Sequence, residues 1–133
     1  MEARERTVRY YQRISGDSPF REWRAKITDL DLKAAIDARI ARLRGGNFGD
    51  SKPVGKGVSE SRIDFGPGYR IYYSATRDDI VLLSGGDKTT QDSDIMAVQG
   101  FWEDYKERTK KERAEENEKR NRLQGRSSRR SKK

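Results

Sequence analysis

VSESRIDFGPGYRIYYSATRDDIVLLSGG, residues 58–86, reads as three consecutive strands joined by two tight reversals. Gly66-Pro67-Gly68 separates the first strand (58–65) from the second (69–75), and residues 76–79 separate the second from the third (80–84). Connections this short make neighbours antiparallel. Side chains alternate along a strand, so Ser61, Ile63 and Phe65 share one face with Tyr69, Ile71 and Tyr73. The opposite face takes Glu60, Arg62 and Asp64, together with Arg70 and Tyr72.

Upstream, residues 6–13 are β-branched and aromatic with partial alternation, and predict a first strand. Ser18 is placed to cap a short helix with Pro19 in its first turn and Phe20, Trp23 and Ile27 along one side. Asp29 or Asp31 opens a second helix whose stripe is Leu32, Ile36, Ile40 and Leu43, stopped by Gly45-Gly46. Residues 47–57 show no periodicity and read as a loop. Gly85-Gly86 reads as a strand exit, and a last helix from about Thr90 carries Ile95, Val98, Phe101, Trp102 and Tyr105. The expected fold class is α+β: an N-terminal strand, two helices, a three-stranded antiparallel meander completing a four-stranded sheet, and a C-terminal helix. Each of the two early helices has a single stripe to bury, so together they cover the apolar face of the sheet. The other face is then left to polar work.

The 133 residues carry a formal charge of +8, and charged residues make up 39% of the chain. That excess is not shared out. Residues 106–133 hold 13 Lys/Arg against 5 Asp/Glu, whereas residues 1–105 hold 17 of each. Two segments are therefore expected: a near-neutral domain over 1–105, and a basic extension over 106–133. The extension is helical on charge pairs to about Arg122 and disordered from Gly125. Cysteine and histidine are both absent, which removes disulfides, thiolate metal sites, the usual general base and the commonest transition-metal ligand. No metal or other cofactor is expected. The N-terminus lacks a signal-peptide apolar region and no apolar run is long enough to span a membrane, so the expected location is cytoplasmic, without a membrane partner.

Residues 39–70 contain seven Lys/Arg and three Asp/Glu, a local basic patch within the neutral body. Arg62, Arg70 and Tyr72 on one face combine cations with an aromatic, a pairing suited to phosphates and stacked bases. Lys52 and Lys56 lie among glycines before the sheet. Lys88, with Asp87, Thr90 and Gln91, lies where the last strand meets the free N–H groups of the last helix. Each has a plainer role: Arg62 in a salt-bridge ladder with Glu60 and Asp64, Lys52 and Lys56 as solvated lysines, Asp87 or Thr89 as an N-cap. Their convergence on one surface is what favours function.

Several segments in this order resemble the RelE/ParE superfamily of type II toxins, within it the HigB-related addiction module killer proteins. They are Pro19-Phe-Arg-Glu-Trp23, Arg39-Ile-Ala-Arg-Leu43, Gly46-Asn-Phe-Gly-Asp50, Val54-Gly-Lys-Gly-Val58, Ser61-Arg-Ile63, Gly66-Pro-Gly-Tyr-Arg-Ile-Tyr-Tyr73 and Leu82-Leu-Ser-Gly-Gly-Asp-Lys-Thr-Thr-Gln91. The resemblance implies a ribosome-dependent, metal-independent mRNA endonuclease that inhibits translation and is held inactive by a cognate antitoxin. It carries catalytic roles onto Arg62, Arg70, Lys88, Lys52 and Lys56, and RNA-binding roles onto Tyr72, Asp87, Thr90 and Gln91. The chain departs from some relatives in having no histidine and no clear match for a C-terminal catalytic tyrosine, and residues 106–133 fall outside the pattern.

A cationic site suits the developing dianionic phosphorane of RNA cleavage, with arginines as bidentate phosphate clamps. The base is left open between a lysine of depressed pKa and Asp87. Two other functions fit such a chain, since fold does not fix function: a non-enzymatic DNA gyrase inhibitor of the ParE kind, and a nucleic-acid-binding module acting through its basic tail.

Overall fold

The computed structural model describes residues 4–131, with side chains to residue 125. Its elements are β1 (Thr7–Tyr10), α1 (Pro19–Ala25), α2 (Leu30–Arg44), β2 (Ser51–Gly55), β3 (Val58–Ile63), β4 (Tyr69–Ala75) and β5 (Asp79–Asp87). A single 3-10 turn, Lys88–Thr90, then leads into α3 (Gln91–Ser131). The fold is α+β, built on a five-stranded sheet of order β1-β5-β4-β3-β2. Every pairing is antiparallel except β1–β5, where β1 runs parallel to β5 from Thr7↔Asp79 to Tyr10↔Leu82.

The helix starts are chemically marked. Ser18 Oγ accepts the Arg21 N–H at 3.3 Å, with Pro19 opening α1. Asp29 is the cap of α2, accepting from the N–H groups of Asp31 and Leu32. The reversal between β3 and β4 uses Gly66 and Gly68 at φ 54° and 98°, a region costly for residues with a Cβ.

The fifth strand corrects the four-stranded expectation. Ser51–Gly55 pairs with β3, although this segment reads as loop. It contains Pro53 and lies at the sheet edge, the one place where a missing N–H leaves no gap in a ladder. Gly85 and Gly86 are likewise not a strand exit. They lie inside β5, pairing with Ile71 and Arg70.

One face of the sheet builds the main core with α1 and α2: Phe20, Leu32, Ile36 and Leu43 against Ile63, Ile71, Tyr73, Ile80 and Leu82. The other face is not an open polar surface. Val58, Tyr72, Val81, Leu83 and Val98 are fully buried outside that cluster, and Trp102 is nearly so. The first turns of α3 cover this side, with Gln91 bonded to Glu60, Gln99 Nε2 to the Val54 carbonyl at 2.9 Å, and Asp94 packed on Gly86. Tyr11 stacks on Phe101 at 4.9 Å between centroids, closing the end near β1.

The chain divides into two compact units between Trp102 and Glu103. The second is helix, polar all round, with Lys106–Glu103, Arg108–Asp104 and Arg122–Glu118 pairs along it. Its backbone is helical to Ser131. Lys132 and Lys133 lie outside the described residues. No helix among the described residues is long and apolar enough to cross a membrane.

Candidate nucleic-acid cleft

Three of the cations singled out in the sequence meet in one cleft. Arg62 and Arg70 face each other across the β3–β4 ladder, and Lys88 comes in from the turn after β5. With Asp50, Asp64, Tyr69 and the Gly66–Gly68 reversal they line a space of about 340 Å³. Arg62 is half exposed and Lys88 exposed, whereas Arg70 is only 6% exposed.

Arg70 is buried because its charge is met from below. Glu60, on β3 and wholly inaccessible, accepts from Arg70 Nε at 3.0 Å through Oε1. Its Oε2 accepts from Gln91 Nε2 at 2.9 Å. Arg62 Nε stands 4.0 Å from Oε1, at the limit of an ion pair. The salt-bridge ladder considered for Arg62 therefore exists mainly between Glu60 and Arg70. A carboxylate this deep is tolerable only when paired and hydrogen-bonded, and here both oxygens have donors.

Lys52 and Lys56 do not line the cleft. Lys52 sits opposite Glu60 on the edge strand β2, exposed, while Lys56 occupies the β2–β3 turn at φ 55°. Tyr72 also departs from its expected place. It is fully buried and presents no ring to a base, and its hydroxyl is enclosed without a hydrogen-bond partner. Burial first, and then the nearby Glu60 carboxylate, pushes that phenol well above its usual range, so it is no proton shuttle in this conformation. Alternation along β4 puts Tyr72 on the same face as Arg70, but the stripe Ile95, Val98 and Trp102 needs a second sheet face to bury against, and that is the signal in the sequence.

The polar groups after β5 pair with their own neighbours. Asp87 caps the 3-10 turn, accepting from the Thr89 N–H at 2.8 Å and from the Thr89 hydroxyl at 2.6 Å. These bonds, the hydroxyl first, hold its carboxyl below the usual carboxylate range, which makes it a weak base. Thr90 Oγ1 donates to Asp94 Oδ2 at 2.6 Å, and Gln91 is spent on Glu60. Thr90 and Gln91 thus serve the site as framework. Arg39, which the sequence marks only as one cation of the basic stretch 39–70, also belongs to it. From α2 it donates to Ser61 Oγ at 3.0 Å and to the Arg62 carbonyl, bracing β3 where Arg62 projects. No group of three or more His, Cys, Asp or Glu suited to a metal occurs among the described residues.

An uncharacterized protein of Haemophilus influenzae is 53% identical to this chain over 77 residues, which span 57% of the chain and 78% of that protein. No family model matches the chain. No solved structure matches it either.

Proposed function

The chain belongs to one family with the uncharacterized Haemophilus influenzae protein, and we propose that it is the toxin of a type II toxin–antitoxin pair, a cytoplasmic, metal-independent endonuclease acting on mRNA at the ribosome. The observation that carries this reading is the meeting of Arg62, Arg70 and Lys88, from two strands and a turn, in one cleft. Its volume of about 340 Å³ is at the low end for small-ligand sites, enough for a phosphate with its ribose. The RelE/ParE-like order of motifs along the sequence supports the same assignment, and a cognate antitoxin is the partner that would block the cleft.

In the proposed reaction the ribose 2′-oxygen attacks the adjacent phosphorus and loses its proton, and the bond to the 5′-oxygen breaks as that oxygen gains one. The products are a 2′,3′-cyclic phosphate and a 5′-hydroxyl. Arg62 and the terminal nitrogens of Arg70 bind the phosphorane oxygens, and the Lys88 ammonium adds a third positive group. Charge placed in advance around a developing dianion is worth several kcal/mol, about 2.7–4 for a single oriented donor. Lys52 and Lys56 act in holding the RNA strand outside the cleft.

The test is to induce the protein in cells and map RNA ends. New 5′-hydroxyl ends within mRNA, lost with Arg62→Ala and with Lys88→Ala, are expected. Arrested DNA replication with intact mRNA would replace this reading by gyrase inhibition; RNA bound but never cut would replace it by a binding module.

A further inference from the structure

We propose that Glu60, which does not line the cleft, is its positioning residue: its buried carboxylate holds Arg70 by Nε, leaves both terminal nitrogens for a phosphodiester, and ties that geometry to the start of α3 through Gln91. The inference rests on the reading above that the cleft takes an RNA phosphate.

Three observations carry it. Glu60 is completely buried, which for a carboxylate demands compensation, and it is compensated on both oxygens by different elements. The bond to Glu60 uses Arg70 Nε alone, while the Asp87 carboxylate interacts with the Arg70 charge at longer range. An arginine paired end-on through both terminal nitrogens would have its fork occupied; one held through Nε keeps two –NH₂ groups for a second acceptor. Finally, Arg70 does line the cleft, although it is almost as buried as the core. A guanidinium free to rotate would lose conformational entropy on meeting a phosphate, and one already locked does not.

Gln91 makes the arrangement two-sided. Its amide joins Glu60 to the first residue of α3, so anything that shifts this end of α3 shifts Glu60 and with it Arg70. Asp94, one turn further, packs against Gly86, the β5 partner of Arg70. The first turn of α3 therefore grips the same point of the sheet from which Arg70 projects.

The experiment uses the full chain, a short RNA whose cleavable 2′-hydroxyl is replaced by hydrogen, and arginine side-chain NMR. In the wild type, Arg70 Nε–H is expected to be protected from exchange before and after the oligonucleotide is added. Only its terminal N–H₂ signals should move. Glu60→Gln, whose amide oxygen still accepts from Nε once Gln91 flips its own amide, should bind within about threefold of wild type. Gln91→Leu removes the bond that fixes Glu60 from α3 and leaves Glu60 to hold Arg70 alone, and should weaken binding about tenfold with a partial loss of Nε–H protection. Glu60→Ala should lose both binding and protection, and its amide spectrum reports whether it is folded. Binding that perturbs Arg62 and Lys88 but leaves the Arg70 terminal groups unmoved would overturn the role of Glu60 and keep the cleft. An oligonucleotide that perturbs none of the three would overturn the cleft itself. Unchanged affinity and Nε–H protection in Gln91→Leu would confine Gln91 to holding the helix.

Discussion

Arg62 and Arg70 stand directly opposite each other in the β3–β4 ladder, yet their side chains are 50% and 7% exposed. Like charges facing across a ladder repel. Glu60 lies diagonal to Arg70 and relieves that repulsion, but unequally, at 3.0 Å from Arg70 Nε and 4.0 Å from Arg62 Nε. One arginine is therefore part of the fold and the other is carried on it.

Truncating the two should separate stability from activity. Arg62→Ala should change stability by no more than about 0.5 kcal/mol, as for exposed residues generally. Arg70→Ala leaves Glu60 buried and short of its main partner, at a cost of about 3–5 kcal/mol. Urea denaturation of both variants checks this, and matching midpoints would mean that the Glu60–Arg70 pair does not hold the sheet. Loss of activity in Arg62→Ala then reports on the cleft alone, whereas loss in Arg70→Ala does not.

Much of this arrangement is legible in the sequence. The meander, the helix caps and the faces of β3 and β4 follow from alternation, glycine and proline, and those features place Arg62 and Arg70 side by side. What is not legible is which face is left open. Alternation reports that Arg70 and Tyr72 point together, but not whether a helix lies over them. A tyrosine with its hydroxyl enclosed looks the same in sequence as one facing solvent. Ser51–Gly55 escaped because an edge strand needs only one partner, and so shows neither alternation nor a run of β-branched residues. Glu60 was visible only as a neighbour of Arg62; its importance comes from depth, which a local reading does not measure.

The same limit applies to Gly85 and Gly86, whose requirement is close approach on opposite faces. A Cβ on Gly85 would lie 2.1 Å from Trp23 Cε3, and one on Gly86 would lie 2.0 Å from Asp94 Oδ2. The indole is rigid and packed against Phe20, while a carboxylate can rotate away. Gly85→Ala should therefore destabilise by about 1–3 kcal/mol or more, and Gly86→Ala by less. Calorimetric melting of both, with Trp23 fluorescence as a local probe, tests the order. A larger loss in Gly86→Ala would show that α3 is the less yielding neighbour.

Asp87 and Asp94 flank the same turn and should respond to pH in opposite senses. Asp87 is held below its ordinary value of 3.8, chiefly by the Thr89 hydroxyl. Its contribution is present above 3.8 and is lost as pH falls through the folded value. Asp94 is raised above 3.8, chiefly by burial, so its ionisation costs stability above the folded value, and that cost fades as pH falls below it. Asp87→Asn should then lower the urea midpoint near pH 7 and matter less near pH 2. Asp94→Asn, which keeps an acceptor for Thr90, should raise the midpoint near pH 7 and lose that advantage near pH 3. Parallel pH profiles for the two variants would contradict this assignment.

The basic extension makes its own prediction, separable from the cleft. From residue 119 onward the sequence holds eight Lys/Arg and no acidic residue, so ending the chain at Glu118 removes positive charge alone. Each phosphate neutralised by a cation releases bound counterions, giving a single-strand salt slope of about −0.7 per contact. If all eight cations touch RNA, truncation should reduce the slope of log affinity against log salt by about 6, and proportionately less if fewer do. The rate of cleavage at saturating RNA should not change, because Arg62, Arg70 and Lys88 are untouched. Anisotropy titrations of full-length and truncated chains across a range of salt concentrations measure the slope, and single-turnover cleavage of mRNA on ribosomes measures the rate. An unchanged slope would show that these cations do not contact the RNA, and a fall in the saturated rate would place the extension in the chemistry.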